Sequence, residues 1–212
     1  MKTHTKDRIL DKGVDILVVI VGILIALSID SYKDSNRSQN QWRMFADQFK
    51  ADATLYAKNY SQIIAFYSER VKSTKAMIQK VNEGHKQIQQ LGQFIPSMGE
   101  LRVDFPSPIL YEALIQSGNQ NLINDTKKLR IIGKFYSFEI LAMTKAQIFT
   151  EHFSPEYKKL LKKYFKSPTN MDPIREDLLY TLYMYLRIME DNLKTYKSQE
   201  ENRLQLLHLL NY

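Results

Sequence analysis

The chain has 212 residues, no cysteine and a formal net charge of +7, with 44% hydrophobic residues against only seven glycines and six prolines. The missing thiol excludes disulfide scaffolds and thiolate metal sites, and the scarcity of turn formers favours helices over many short strands. The length is enough for one compact domain with its own core beside a single accessory segment.

That segment comes first. An apolar run, Ile16 to Ile29 (ILVVIVGILIALSI), lies between Asp15 and Asp30. Its fourteen residues rise only about 21 Å as a helix, against a hydrocarbon core of roughly 30 Å. Placing both acids at the interfaces extends it to Gly13 and Tyr32, with Lys12 and Lys33 snorkelling and Tyr32 in the headgroups. The expected division is a tail at 1–13, a transmembrane helix at 14–32, a hinge or helical linker at 33–41 and a helical domain at 42–212. A signal peptide is the main alternative, since Ala26-Leu27-Ser28 has the small-x-small pattern of a cleavage site, but Asp7, Asp11 and Asp15 are unusual before such a run. A buried core helix is the third reading. Lys2, Lys6, Arg8, Lys12 and the amine before the run, against Lys33, Arg37, Arg43 and Lys50 after it, favour a cytoplasmic N-terminus and a periplasmic domain.

Within the run, Asp15, Gly22 and Ala26 share a face, and Gly22-x-x-x-Ala26 has the spacing that lets two membrane helices approach closely. Asp15 reads as an interfacial anchor beside Lys12; the sharper alternative is a carboxylate serving ion or proton movement in an oligomeric pore.

No glycine or proline occurs between Gly22 and Gly84, so a continuous helix from Val14 to Asn82, about 100 Å long, is expected unless the polar stretch Ser31 to Gln41 acts as a hinge. Trp42, Phe45, Phe49, Ala53, Tyr56, Tyr60, Ile63, Tyr67, Val71, Thr74, Ile78 and Val81 form one stripe that fits a coiled-coil seam or a bundle core, and its aromatics favour the bundle. Gly84 to Ser107, with Gly92, Pro96, Gly99 and Pro106, reads as a loop. Ser107-Pro108 then caps a short helix that ends at Ser117-Gly118. A third helix starts near Asn124 or Asp125 with Leu129, Ile132, Tyr136, Ile140 and Met143 on one face. Ser154-Pro155 and Asp172-Pro173 start a short fourth helix and a long last one towards Leu210, striped by Leu178, Leu182, Tyr185, Met189, Leu193 and Tyr196. The terminal LQLLHLLNY is apolar enough to pack on something.

Chemistry is sparse. His4, His85, His152 and His208 are scattered without metal-site spacing, and there is no phosphate loop or nucleophile elbow, so no metal, cofactor or catalytic activity is expected. An isoelectric point near 9.3 suggests nucleic acid, but no recognition module accompanies it. The segment from Tyr157 to Ser167 carries Lys158, Lys159, Lys162, Lys163 and Lys166 around Leu160, Leu161, Tyr164 and Phe165; with Glu156 its local charge is +4. It reads as an amphipathic helix packed on the core with solvated lysines, or as one that meets an anionic bilayer or acidic partner.

Two segments, Ile20-VGILIALSID-Ser31 and Tyr111-EALIQSGNQNLINDTKKLR-Ile131, resemble an uncharacterised family of small bacterial single-pass membrane proteins in which an N-terminal membrane helix precedes a helical domain with an E-A-L-x-x-S-G-x-x-x-L-I motif. The resemblance covers about a fifth of the chain and implies an inner-membrane location and no known activity. In the motif, Ser117-Gly118 can end a helix, Leu122 and Ile123 can plug the core, and Asn124 or Asp125 can cap the next helix. A ligand site at Glu112, Ser117, Asn119 and Asn121 is the alternative.

These readings lead to an all-α fold: a transmembrane helix running into a long helix, packed with shorter helices and a long C-terminal one. The expected function is a non-enzymatic, membrane-anchored structural or interaction subunit that forms a homo-oligomer or docks another envelope protein, with the lipid bilayer as its other partner. The alternatives are a tethered sensor, its pocket lying where the aromatic stripe meets the 84–107 loop, and a channel or motor-type subunit using Asp15.

Overall fold

The computed structural model describes residues 4–84, 91–123, 125–166 and 172–211, with side chains from residue 21 onward except those of 22, 121 and 122. The described residues contain no strand. They form α1 (His4–Asn82), α2 (Leu91–Ser97), α3 (Ile109–Gln116), α4 (Thr126–Tyr136), α5 (Phe138–Ile148), α6 (Ser154–Lys166) and α7 (Arg175–Leu210). The chain divides into two compact units, Met1–Asp47 and Gln48–Tyr212.

In the first unit the expected linker, 33–41, is helical and part of α1. Among the described residues no helix is long and apolar enough to cross a membrane. The expected span at 14–32 begins on residues whose side chains lie outside those described, as do Asp15 and Gly22. What the first unit does show is Ile23, Leu24, Ile25, Leu27 and Ile29, each at least half exposed, with Ala26 exposed among them.

In the second unit, α1 runs antiparallel to α7. Arg203 near the end of α7 bonds the Ala53 carbonyl, Gln199 meets Tyr60, Tyr196 stacks on Tyr67, and Arg175 at the start of α7 reaches the Asn82 carbonyl. The buried positions of α7 are Leu178, Leu182, Tyr185, Met189, Asn192, Tyr196, Gln199, Arg203 and Leu206, with Thr181 beside them. Apart from Thr181 they alternate steps of four and three, the spacing that keeps one seam facing a neighbouring helix. Leu193, expected on the stripe, is only half-buried, and Asn192 takes the inward place. On α1, Phe49, Ala53, Tyr60, Ile63, Tyr67, Thr74, Ile78 and Val81 are buried as the sequence stripe expects. The α4–α5 segment closes a third side: Gln199 Nε2 donates to the Phe135 carbonyl at 2.8 Å, and Phe138 meets Tyr60 edge-on.

Four local readings need correction. The 84–107 stretch is not all loop, because Leu91, Phe94 and Ile95 bury one face of α2. Ser107 does not cap α3; Pro108 occupies the cap position in a helical conformation, with no side-chain cap bond. The third helix is two, broken at Ser137, whose backbone N–H keeps the helical bond to the Gly133 carbonyl while its hydroxyl turns back to the Lys134 carbonyl. After the break α5 buries Phe138 and Ala142, leaving Ile140 and Met143 exposed. Finally, Ser154-Pro155 does not follow a loop. Helix α5 continues into α6 through a π turn, Phe149–Phe153. The wider turn accommodates a proline that can donate no backbone bond and whose ring would clash with a carbonyl four residues back.

Candidate functional site

A seam between α1 and α7 is crossed by the non-helical segment 100–106. Tyr67 donates its hydroxyl to the Arg102 carbonyl, and Arg102 and Arg70 lie over the Phe66 ring at 4.5 and 5.0 Å from its centre. Tyr196 accepts from the Asp104 backbone N–H at 2.9 Å and donates to the Asp104 carbonyl at 3.2 Å. The Asp104 carboxylate accepts from Asn59 Nδ2 at 2.6 Å and from the Phe105 N–H at 3.0 Å. The segment is thus tied to both long helices by groups that saturate one another.

The neighbouring tyrosines are held neutral. Burial raises Tyr60, Tyr67 and Tyr136, with the Asp52 carboxylate that accepts the Tyr136 hydroxyl at 2.7 Å adding to the last. Burial pushes Tyr185 and Tyr196 up to about 12. A phenol in that state serves neither as base nor as nucleophile at neutral pH. Two buried polar atoms have no partner among the described residues, Tyr185 Oη and Asn192 Nδ2. No cluster of metal-ligating side chains occurs among the described residues.

Two grooves flank the seam. One, of about 510 Å³, lies between α1 and α2 and is lined by Arg70, Met77, Phe94 and Ser97 among others. Arg70 is already committed, donating to Ser97 Oγ and to Glu100 at 2.7 Å each. The other, of about 470 Å³, lies between the α4–α5 corner and α7, with Lys134, Phe138, Leu141, Asp191, Lys194 and Gln199 on its walls. Helix α5 also presents Ile140, Leu141, Met143 and Ile148 to solvent.

The described part of the central motif forms a turn and a helix cap. Gly118 adopts φ +70°, which only glycine enters without strain, and Ser117 Oγ turns back to the Ala113 carbonyl at 2.6 Å. Ile123 is buried, and the Asp125 carboxylate caps α4 by accepting from the Lys127 N–H at 2.8 Å. Glu112 and Ser117 are exposed and Asn119 is half-buried, and the side chain of Asn121 lies outside those described.

Helix α6 sorts its lysines. Lys159 bonds Glu156 at 2.5 Å, and Lys163 pairs with Asp177. Among the described residues Lys158, Lys162 and Lys166 pair with no carboxylate. Sequence reasoning saw the basic helix but not this division, because Asp177 is on another helix. It also missed Asn192, Gln199 and Arg203, although their continuation of the four-three spacing was a usable signal.

No protein-family model matches this chain, and no curated protein or solved structure does.

Proposed function

We propose that the protein is a non-enzymatic, membrane-anchored interaction subunit, held in a bacterial inner membrane by the segment around residues 14–32 and presenting its helical domain to a second copy or another envelope protein. The observation that carries this reading is the exposed belt of Ile23, Leu24, Ile25, Leu27 and Ile29. Apolar side chains on every side of a helix call for an apolar surrounding, which a bilayer supplies. The hydrogen-bonded strap at Asp104, the neutral tyrosines and the exposed apolar residues of α5 agree with a binding rather than a catalytic role. The resemblance in the Glu112 to Ile123 motif points the same way.

Extraction of membranes with alkaline carbonate, followed by purification in mild detergent with mass measurement, tests it. The chain should stay in the membrane pellet and purify as a discrete homo-oligomer or with a stoichiometric partner. Release into the carbonate supernatant would refute the anchor. Gly22→Ile should weaken a homo-oligomer built through the Gly22-x-x-x-Ala26 face while leaving insertion intact.

The 510 Å³ groove supports a second reading, a tethered ligand-binding module, although its α1 wall is Arg70, Ser73 and Met77 rather than the aromatic stripe.

A further inference from the structure

Helix α6 buries Leu160, which is 1% exposed, and at 100° per residue Lys158, Lys162, Phe165 and Lys166 fall on the opposite side. All four are exposed, Phe165 by 68%, an unusual place for so large an apolar ring. Two acids at this helix, Glu156 and Asp177, are engaged by Lys159 and Lys163. The outward face is therefore three unpaired ammonium groups around an exposed aromatic ring, with no carboxylate paired to it among the described residues.

From this arrangement we propose that the outward face of α6 is a contact site for an anionic lipid surface, with Lys158, Lys162 and Lys166 meeting headgroup phosphates and Phe165 entering the interfacial layer. Lysine heads tolerate the disordered, hydrated phosphates of a headgroup layer, and an aromatic ring among them gains by leaving water. An acidic protein would satisfy the charges, but the ring would need a matching pocket; a bilayer interface takes both without one. The proposal rests on the reading of the chain as membrane-anchored, and it adds a second, charge-dependent contact to that anchor. Basic residues near such a surface each add about fivefold in partitioning, so three together amount to roughly a hundredfold, screened by salt.

The test uses the full chain in vesicles, with an environment-sensitive fluorophore on Phe165→Cys, the sole thiol in the molecule. Vesicles are either all phosphatidylcholine or contain a quarter phosphatidylglycerol. Flotation with either composition reports the anchor separately from the probe. The expected result is a blue-shifted emission, quenched by spin-labelled lipid, in anionic vesicles only; it should vanish at high salt and in the Lys158→Gln/Lys162→Gln/Lys166→Gln background. A chain that does not float with neutral vesicles, yet gives this signal with anionic ones, would remove the anchor and keep the surface contact. Equal emission in both compositions, or an undiminished signal in the glutamine background, would overturn the proposal. So would a response to soluble polyglutamate with none to anionic lipid, which would make the partner an acidic protein.

Discussion

Arg203 and Ala53, 150 residues apart, are joined by a 3.1 Å hydrogen bond from the guanidinium Nη1 to the backbone carbonyl. Arg203 is only 6% exposed, and its remaining donors grip Glu200 in a bidentate pair at 2.7 and 2.6 Å. Glu200 holds the arginine charged, reinforcing its already high pKa.

Removing the acid alone leaves a buried cation without its counter-charge, so Glu200→Ala should cost about 2 kcal/mol. The double variant Glu200→Gln/Arg203→Met removes both charges and should lie within about 1 kcal/mol of the parent. Denaturant titration of the three proteins measures the order. A Glu200→Ala variant as stable as the parent would show that the pair contributes nothing.

Asn192 and Tyr185 carry buried polar atoms without partners among the described residues. Asn192→Leu should therefore raise stability by about 1 kcal/mol, and Tyr185→Phe should be neutral or slightly stabilising. A polar residue on a helix seam also penalises wrong registers. The leucine variant should accordingly show broader amide exchange across the α1–α7 seam even as its melting temperature rises; a fall in melting temperature would show that the amide is satisfied.

Five buried phenols set the alkaline limit. Tyr60, Tyr67, Tyr136, Tyr185 and Tyr196 are all raised by burial, the last two to about 12. In the unfolded chain each ionises near pH 10, so above that pH the unfolded state binds fewer protons and stability falls. The contribution is fully present below about pH 10 and is lost towards pH 12, each phenol adding a slope of about 1.4 kcal/mol per pH unit. Phenolate absorbance of the buried set should rise together with loss of helical circular dichroism.

Gly118, at φ +70° with open space around its Cα, should be sensitive to the backbone alone. Gly118→Ala should cost about 1 kcal/mol and Gly118→Asn less, since asparagine tolerates that conformation better. Equal melting temperatures for the two would mean that the turn relaxes.

The sequence made the long helices legible because their apolar spacing persists over many turns, and the Asp125 cap and the Gly118 turn because their chemistry is local. It was poorest where a distant partner decides the outcome. Asp177 chooses which lysines of α6 remain unpaired, and the break at Ser137 redirects Ile140 and Met143 outward. Gly133 shows the same limit: locally a weak point in α4, it admits the Tyr111 hydroxyl, which would lie 3.0 Å from an added Cβ, beside the Tyr111–Tyr136 stack. The seam's polar strap was invisible for a related reason, since nothing near Asp104 in the chain announces Tyr196.

The π turn at Phe149–Phe153 fixes the phase of everything after it. Such a turn holds one residue more than the α-helix would place there. Deleting one residue between 149 and 153 would remove the extra residue and turn α6 by about 100° about its axis, with Pro155 left to kink the junction. Leu160 would swing off the core and the outward lysines would roll towards a flank. Length variation in these five positions would consequently act as a rotary adjustment of the basic face, leaving its composition untouched.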